Sequence, residues 1–160
     1  MKARIAHNTP ELANTFGNVR AAIAKHVDAK LARGVLEVAN LAKQLAPKAE
    51  STLTNAIHPE HLGPSLYEVV SPVTHATAVE KGTGPGGFAP LQSILDWMKV
   101  KGIHSDTPES VAFLIQRKIL RHGTPAQPHM EPALEQKKSR LQELAAQGIA
   151  AGFREAAHGR

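Results

Sequence analysis

YEVVSPVTHATAVEKGTGPGG, from Tyr67 to Gly87, is where strand-like alternation gives way to a glycine loop and then to a helix. Read as β, Tyr67, Val69 and Ser71 lie on one face and Glu68, Val70 and Pro72 on the other, and a second run through Ala76, Ala78 and Glu80 returns antiparallel. The Gly-Thr-Gly-Pro that follows turns the chain. Gly82, Gly84 and Gly87 satisfy the letter of a dinucleotide loop, but such a loop aims free backbone amides at a pyrophosphate. Pro85 removes one of those amides, and no convincing strand follows the next helix. Lys81-Gly82-Thr83 also has the wrong order for a phosphate loop of the Gly-Lys-Ser/Thr kind. A loop leaving a small sheet is the better reading.

Upstream, Thr9-Pro10-Glu11 is a helix start: a hydroxyl for the free amides, a proline where no amide is needed, and an acid at the positive end. Leu12, Phe16, Val19, Ile23, Val27, Leu31, Val35, Val38, Ala42 and Leu45 then recur at steps of three and four until Pro47. Such a helix is about 55 Å long if unbroken, and Gly34 is the expected kink. Ser51–Ile57 alternates well enough to be a strand, with His58-Pro59-Glu60-His61 turning away from it. Three strands are therefore expected, at about 52–58, 65–71 and 75–81, and so small a sheet needs helical cover.

Downstream, Pro90 opens a helix with Leu91, Ile94, Leu95 and Met98 on one stripe, stopping at Gly102. Asp106-Thr107-Pro108-Glu109 opens another, lined by Val111, Leu114, Ile115 and Ile119 and ended by Gly123. Gly123–Pro128 is too proline-rich to be anything but extended. The last helix begins near Glu131-Pro132 and carries Leu134, Leu141, Leu144, Ala145, Ile149, Phe153 and Ala156 on one side. Gly148 and Gly152 fall within that stripe and let another backbone come close, which makes this a candidate surface between subunits. The fold class read from the chain is α+β: a long N-terminal helix on a small antiparallel sheet of about three strands, then two short helices and a long C-terminal helix.

The chain has 160 residues, room for one domain with a real core. Its 42% hydrophobic content includes only 4% aromatics, so the core is expected to be thin and alanine-rich. Without cysteine there is no disulfide, zinc-thiolate site or cysteine nucleophile. No signal-peptide core or membrane-length apolar run is visible, so no membrane partner is expected. The net charge is +5, with the excess in the second half, scattered and not interleaved with aromatics. Of the nine histidines only His58 and His61 are close in sequence, with no accompanying metal signature. Ser51, Ser65 and Ser71 lack a nucleophile setting, and Glu60, Glu68 and Glu80 form no spaced catalytic pair. Neither cofactor nor metal is expected, and an enzyme, a small hydrolase at most, is the minority reading.

Four segments in order carry a resemblance: Leu45-Ala46-Pro47-Lys48, then Leu53–Ile57, then Ala76–Gly84 with its Glu-x-Gly-Thr-Gly loop, then Gly123–Leu134 with Pro128-x-x-x-Pro132-Ala-Leu. From about residue 30 to 155 the chain resembles the neck, tail-completion, head-tail joining or minor tail proteins of long-tailed bacteriophages. It departs from their usual pattern near Ser51, where a glycine is usual, and at His75 or Thr77 and at His129, where an aromatic is usual. The resemblance implies a small α+β virion subunit without catalysis, assembled in the host cytoplasm into a ring that is six-fold by analogy with tail-completion rings. Head-connector, neck and tail-tube proteins are its implied partners, and genomic DNA passes through the lumen without sequence specificity. The expected interaction loops are 82–90 and 123–132. The residues expected to carry contact are Glu80, Lys81, Gly82, Thr83 and Gly84, then Gly123, Thr124, Pro125, Gln127, Pro128 and Met130, with Gly148 and Gly152 on the last helix. The alternative is a DNA-binding accessory module using Arg117, Lys118 and Arg121, which share one side of their helix.

Overall fold

The computed structural model describes residues 9–47 and 51–158, and the chain divides into two compact units. The first holds the chain up to Glu37, Glu60–Glu68 and the chain from Lys137; the second holds Val38–Pro59 and Val69–Gln136. Helices dominate both. In chain order the elements are α1 (Thr9–Leu45), α2 (Ser51–Ala56), β1 (His58–Gly63), β2 (Leu66–Val70), α3 (Ala76–Lys81), α4 (Leu91–Val100), α5 (Pro108–His122) and α6 (Met130–His158).

The first unit is built on α1 against α6. Gly34 does not break α1, which runs through it as one helix of 37 residues. Its missing side chain makes room instead: a methyl group there would lie 2.6 Å from Leu141 Cδ2 and 2.9 Å from Leu144 Cδ1. On α6, a methyl at Gly148 would lie 2.7 Å from the Cα of Val27, and one at Gly152 would collide with the Cα of Ile23. As numbers rise along α1 they fall along α6, so the two helices run antiparallel with small residues at the seam. The close approach expected of Gly148 and Gly152 is therefore made, and its partner is α1 of the same chain. Charges flank the seam: Glu155 meets Lys25 at 3.2 Å and also His26, while Glu37 meets Lys137 at 3.7 Å and Arg140 at 3.8 Å. These pairs are exposed enough for solvent to screen them, so steric fit holds the seam and charge helps set its register.

This geometry corrects the apolar stripes. Phe16 on α1, and Leu134, Ile149 and Phe153 on α6, were expected inside but are largely exposed, whereas Leu144, Gly148 and Gly152 are buried. Where backbones nearly touch, the facing residues must be small, and the large side chains move to the flanks. There Phe16, Val19, Ile23, Val27, Ile149 and Phe153 line an open, almost wholly apolar groove of about 690 Å³.

The sheet has two strands, not three, among the described residues: β1 and β2 form an antiparallel hairpin. The expected first strand is α2, because Leu53 and Ile57 are four apart, which is the helical period, and both are buried. The segment expected to turn away, His58–His61, is instead β1; Pro59 is tolerated because every strand of a two-stranded sheet is an edge. The expected third strand is α3, whose Ala76, Ala78 and Glu80 favour helix. The turn of the hairpin puts Ser65 at φ 57, and its amide donates to Asp28 Oδ1 at 2.8 Å. The Tyr67 hydroxyl donates to the Asp28 carbonyl at 3.3 Å, so one residue of α1 fixes both the turn and β2. That amide, outweighing partial burial, holds the Asp28 carboxyl below its usual range, with help from Tyr67 and His61.

In the second unit α4 follows directly on Pro90 and α5 begins at Pro108, as their start signals predict, and α5 stops at Gly123. Thr107 does not cap α5 with its side chain; Ser105 Oγ instead accepts the Thr107 amide at 3.1 Å. Ile94 and Met98 of α4 and Ala112 of α5 form a buried cluster with Leu91, Leu95, Trp97, Val111 and Ile115 packed around it.

Two glycines of the helices separate propensity from fit. Gly17 is exposed with no atom within 4 Å of an added methyl, so Gly17→Ala is expected to stabilise the chain by about 0.5–1 kcal/mol. Gly148→Leu is expected to cost about 2–3 kcal/mol, because it must push a backbone away. Urea denaturation of both variants checks this pair of signs.

Candidate functional site

Two Gly-Thr pairs 41 residues apart meet in the second unit. Thr83 and Thr124 form an isolated antiparallel bridge, with Thr83 N–H donating to Thr124 O at 3.0 Å and Thr124 N–H to Thr83 O at 3.2 Å. Their hydroxyls lie 2.9 Å apart, and Thr124 N–H also reaches Thr83 Oγ1 at 3.0 Å. The glycine before each threonine is needed. Gly82 has φ +72 and would place a methyl 2.7 Å from Ala126 N; Gly123 has φ +74 and would drive one into the Thr83 carbonyl. Further bonds run from Gln127 N–H to Val79 O at 2.8 Å and from Gly86 N–H to Leu120 O at 2.8 Å. The two segments expected as separate extended loops are thus zipped to each other.

Beneath the bridge lies Glu80, at the end of α3. Its Oε2 accepts the amides of His129 at 2.8 Å and Met130 at 3.1 Å, and its Oε1 accepts that of Glu131 at 3.1 Å. A helix begins with amides that have no partner within it, and α6 has only Gln127, Pro128 and His129 before it, none of them a favoured cap. Glu80 supplies from 50 residues upstream what the local sequence lacks, with its charge at the positive end of the helix dipole. His129 is 1% exposed, and its Nδ1 lies 2.9 Å from Glu80 Oε2 and 3.2 Å from Gln127 O. Both neighbours are acceptors, so Nδ1 carries the proton. Burial pushes the Glu80 carboxyl upward, but the amides of His129, Glu131 and Met130, together with the His129 ring, outweigh it and bring the group below its ordinary value.

The expected contact residues therefore divide. Glu80, Gly82, Thr83, Gly123, Thr124, Gln127 and Met130 are drawn together in this clamp, where most of them serve the fold. Lys81, Gly84, Pro125 and Pro128 point outward from it and are exposed. Gly148 and Gly152 belong to the other unit, in the α1–α6 seam. Phe88, unremarked in the sequence, follows the clamp and is 73% exposed. Gln116 holds the same loop by donating to Ala89 O at 2.7 Å.

Other polar side chains form local pairs. His61 stacks on Tyr67 with ring centroids 4.7 Å apart and faces Asp28 at 3.5 Å, while His58 bonds to the Ala56 carbonyl oxygen at 2.7 Å. Among the described residues no three His, Asp or Glu side chains are grouped to hold a metal ion, and no helix is long and apolar enough to cross a membrane. Comparison with protein-family models, characterised proteins and solved structures finds no match for this chain.

The clamp makes two measurable demands. Glu80→Gln is expected to cost about 1–3 kcal/mol at neutral pH, since the amides keep one weaker acceptor. The folded chain keeps Glu80 ionised to lower pH than the unfolded chain does. Its contribution is therefore full above the ordinary value of 4.5 and is lost as pH falls through the folded-state value. Asp28 and Glu155 shift the same way, so the stability difference between the parent and Glu80→Gln isolates the effect; that difference is expected to shrink below pH 4.5. In the loop, Gly82→Ala is expected to lose about 2 kcal/mol or more through strain and collision, whereas Gly84→Ala, with open space around it, stays close to the parent in thermal unfolding.

Proposed function

We propose that this chain is a structural subunit of a long-tailed phage neck, assembling into a ring that joins the head connector to the tail tube, with DNA passing through the opening. One observation carries the reading beyond the sequence resemblance: all four phenylalanines, Phe16, Phe88, Phe113 and Phe153, are at least half exposed, at 70%, 73%, 54% and 54%. The buried hydrophobic positions are filled by Ala, Leu, Ile, Val and Met instead. Aromatic side chains offer large contact area at low entropic cost and are enriched where proteins meet, so a chain that keeps its phenylalanines outside is suited to being covered. No bond is made or broken in this role. Contact between subunits and with neighbouring rings removes apolar area from water, which offsets the entropy of association.

A specific observation also supports the DNA-binding reading: Arg117, Lys118 and Arg121 are exposed on α5 and have no ion pair among the described residues. The two readings separate in solution. Sedimentation of the purified chain, alone and mixed with tails and DNA-filled heads from particles assembled without it, is expected to show a ring-sized oligomer and recovery of joined particles. A chain that stays monomeric and binds neither removes the neck reading. Duplex DNA titrated at two salt concentrations is expected to show weak binding; tight binding that falls steeply with salt favours the accessory module.

A further inference from the structure

Two exposed surfaces of this chain are opposite in charge, and both carry exposed apolar side chains. On α5, the side turned away from the buried Ala112 carries Phe113, Leu114 and Leu120, exposed at 54%, 62% and 44%, interleaved with the exposed Arg117, Lys118 and Arg121. The only acid on that helix, Glu109, sits in its first turn. The second surface is the outer face of the hairpin. His61 and Tyr67 stack on the face directed to Asp28, so strand alternation sends Glu60, Leu62, Leu66 and Glu68 to the opposite side. All four are exposed, with Leu62 at 55% and Leu66 at 57%. No lysine or arginine occurs anywhere from residue 49 to residue 80.

We infer that the α5 face of one copy docks on the outer hairpin face of a second copy, placing Phe113, Leu114 and Leu120 on Leu62 and Leu66 and the three cations beside Glu60 and Glu68. The inference rests on the ring reading and names the surfaces that would build the ring. The occupant is argued from complementarity. A polyanion answers the arginines but leaves three large apolar side chains wet, and a purely apolar partner strands the cations; the hairpin answers both. Because the two surfaces differ, the contact is heterologous, and repetition of a heterologous contact yields closed rings or open filaments.

The test is charge exchange between exposed sites that lie outside the buried α4–α5 cluster. One variant carries Arg117→Glu and Arg121→Glu, and the other carries Glu60→Lys and Glu68→Lys. Each is first checked for parental helix content by circular dichroism. Alone, each is expected to weaken self-association at least tenfold in sedimentation equilibrium. Mixed in equal amounts they are expected to recover parental association, because each α5 then faces an oppositely charged hairpin, and a chain carrying all four changes is expected to do the same. If the parent oligomerises but both variants match it, or the mixture fails to recover, the inference falls while the ring reading stands. If the arginine variant keeps its oligomer and loses duplex DNA binding, the α5 face reads nucleic acid and the inference falls. A parent that remains monomeric at every concentration reached and joins no particles removes both.

Discussion

The Glu80 carboxylate, held against the first amides of α6, is the contact on which the second unit depends. α6 is 29 residues long and opens after Gln127, Pro128 and His129, none of which can satisfy its leading amides well. Leaving three such donors unmet in a partly buried setting costs about 1–3 kcal/mol each. An acid delivered from α3 meets all three and places a full negative charge where the helix dipole is positive. The delivery requires α3 to end beside α6. That in turn requires Gly82 and Gly123 to adopt positive φ and let Thr83 and Thr124 pair. Helix start, bridge and glycine conformations form one interdependent set, with the buried His129 as its packing centre.

The first unit obeys a different constraint, which is distance. With Gly34, Gly148 and Gly152 at the α1–α6 seam, the helices approach closely at those positions, and Leu141 and Leu144 fill the space over Gly34. Large apolar residues are then displaced to the flanks, which explains why a chain of modest hydrophobicity has so many of them outside. Exposure here is a geometric result of the seam as well as a resource for binding, and the proposed neck role uses it in the second sense.

Helix limits were legible because proline, threonine and glycine mark them: α1, α4, α5 and α6 lie close to where those residues put them. Strand assignments were less legible. Over a short run the apolar residues Leu53 and Ile57 fit either period, and the structure takes the helical one. α3 buries none of its residues fully, so it offers no stripe to read; its work is to aim one carboxylate. Of the site, the loops and their glycines could be found from Glu80-Lys81-Gly82-Thr83-Gly84 and Gly123-Thr124-Pro125. Their mutual pairing could not, since contacts separated by 41 to 51 residues leave no local pattern. The one signal available was negative, a long helix lacking its own cap. The α6 stripe misled because it counted leucine and phenylalanine as inward when small residues governed the approach.

The Thr83–Thr124 bridge also means that the intervening chain, with α4 and α5 packed on each other, leaves and returns at one point. Its internal packing is self-contained around Ile94, Met98 and Ala112. The segment is therefore a cassette tied at its root: lengthening the link between its two helices, or exchanging their outer faces for others, alters what the protein presents without loosening the knot beneath.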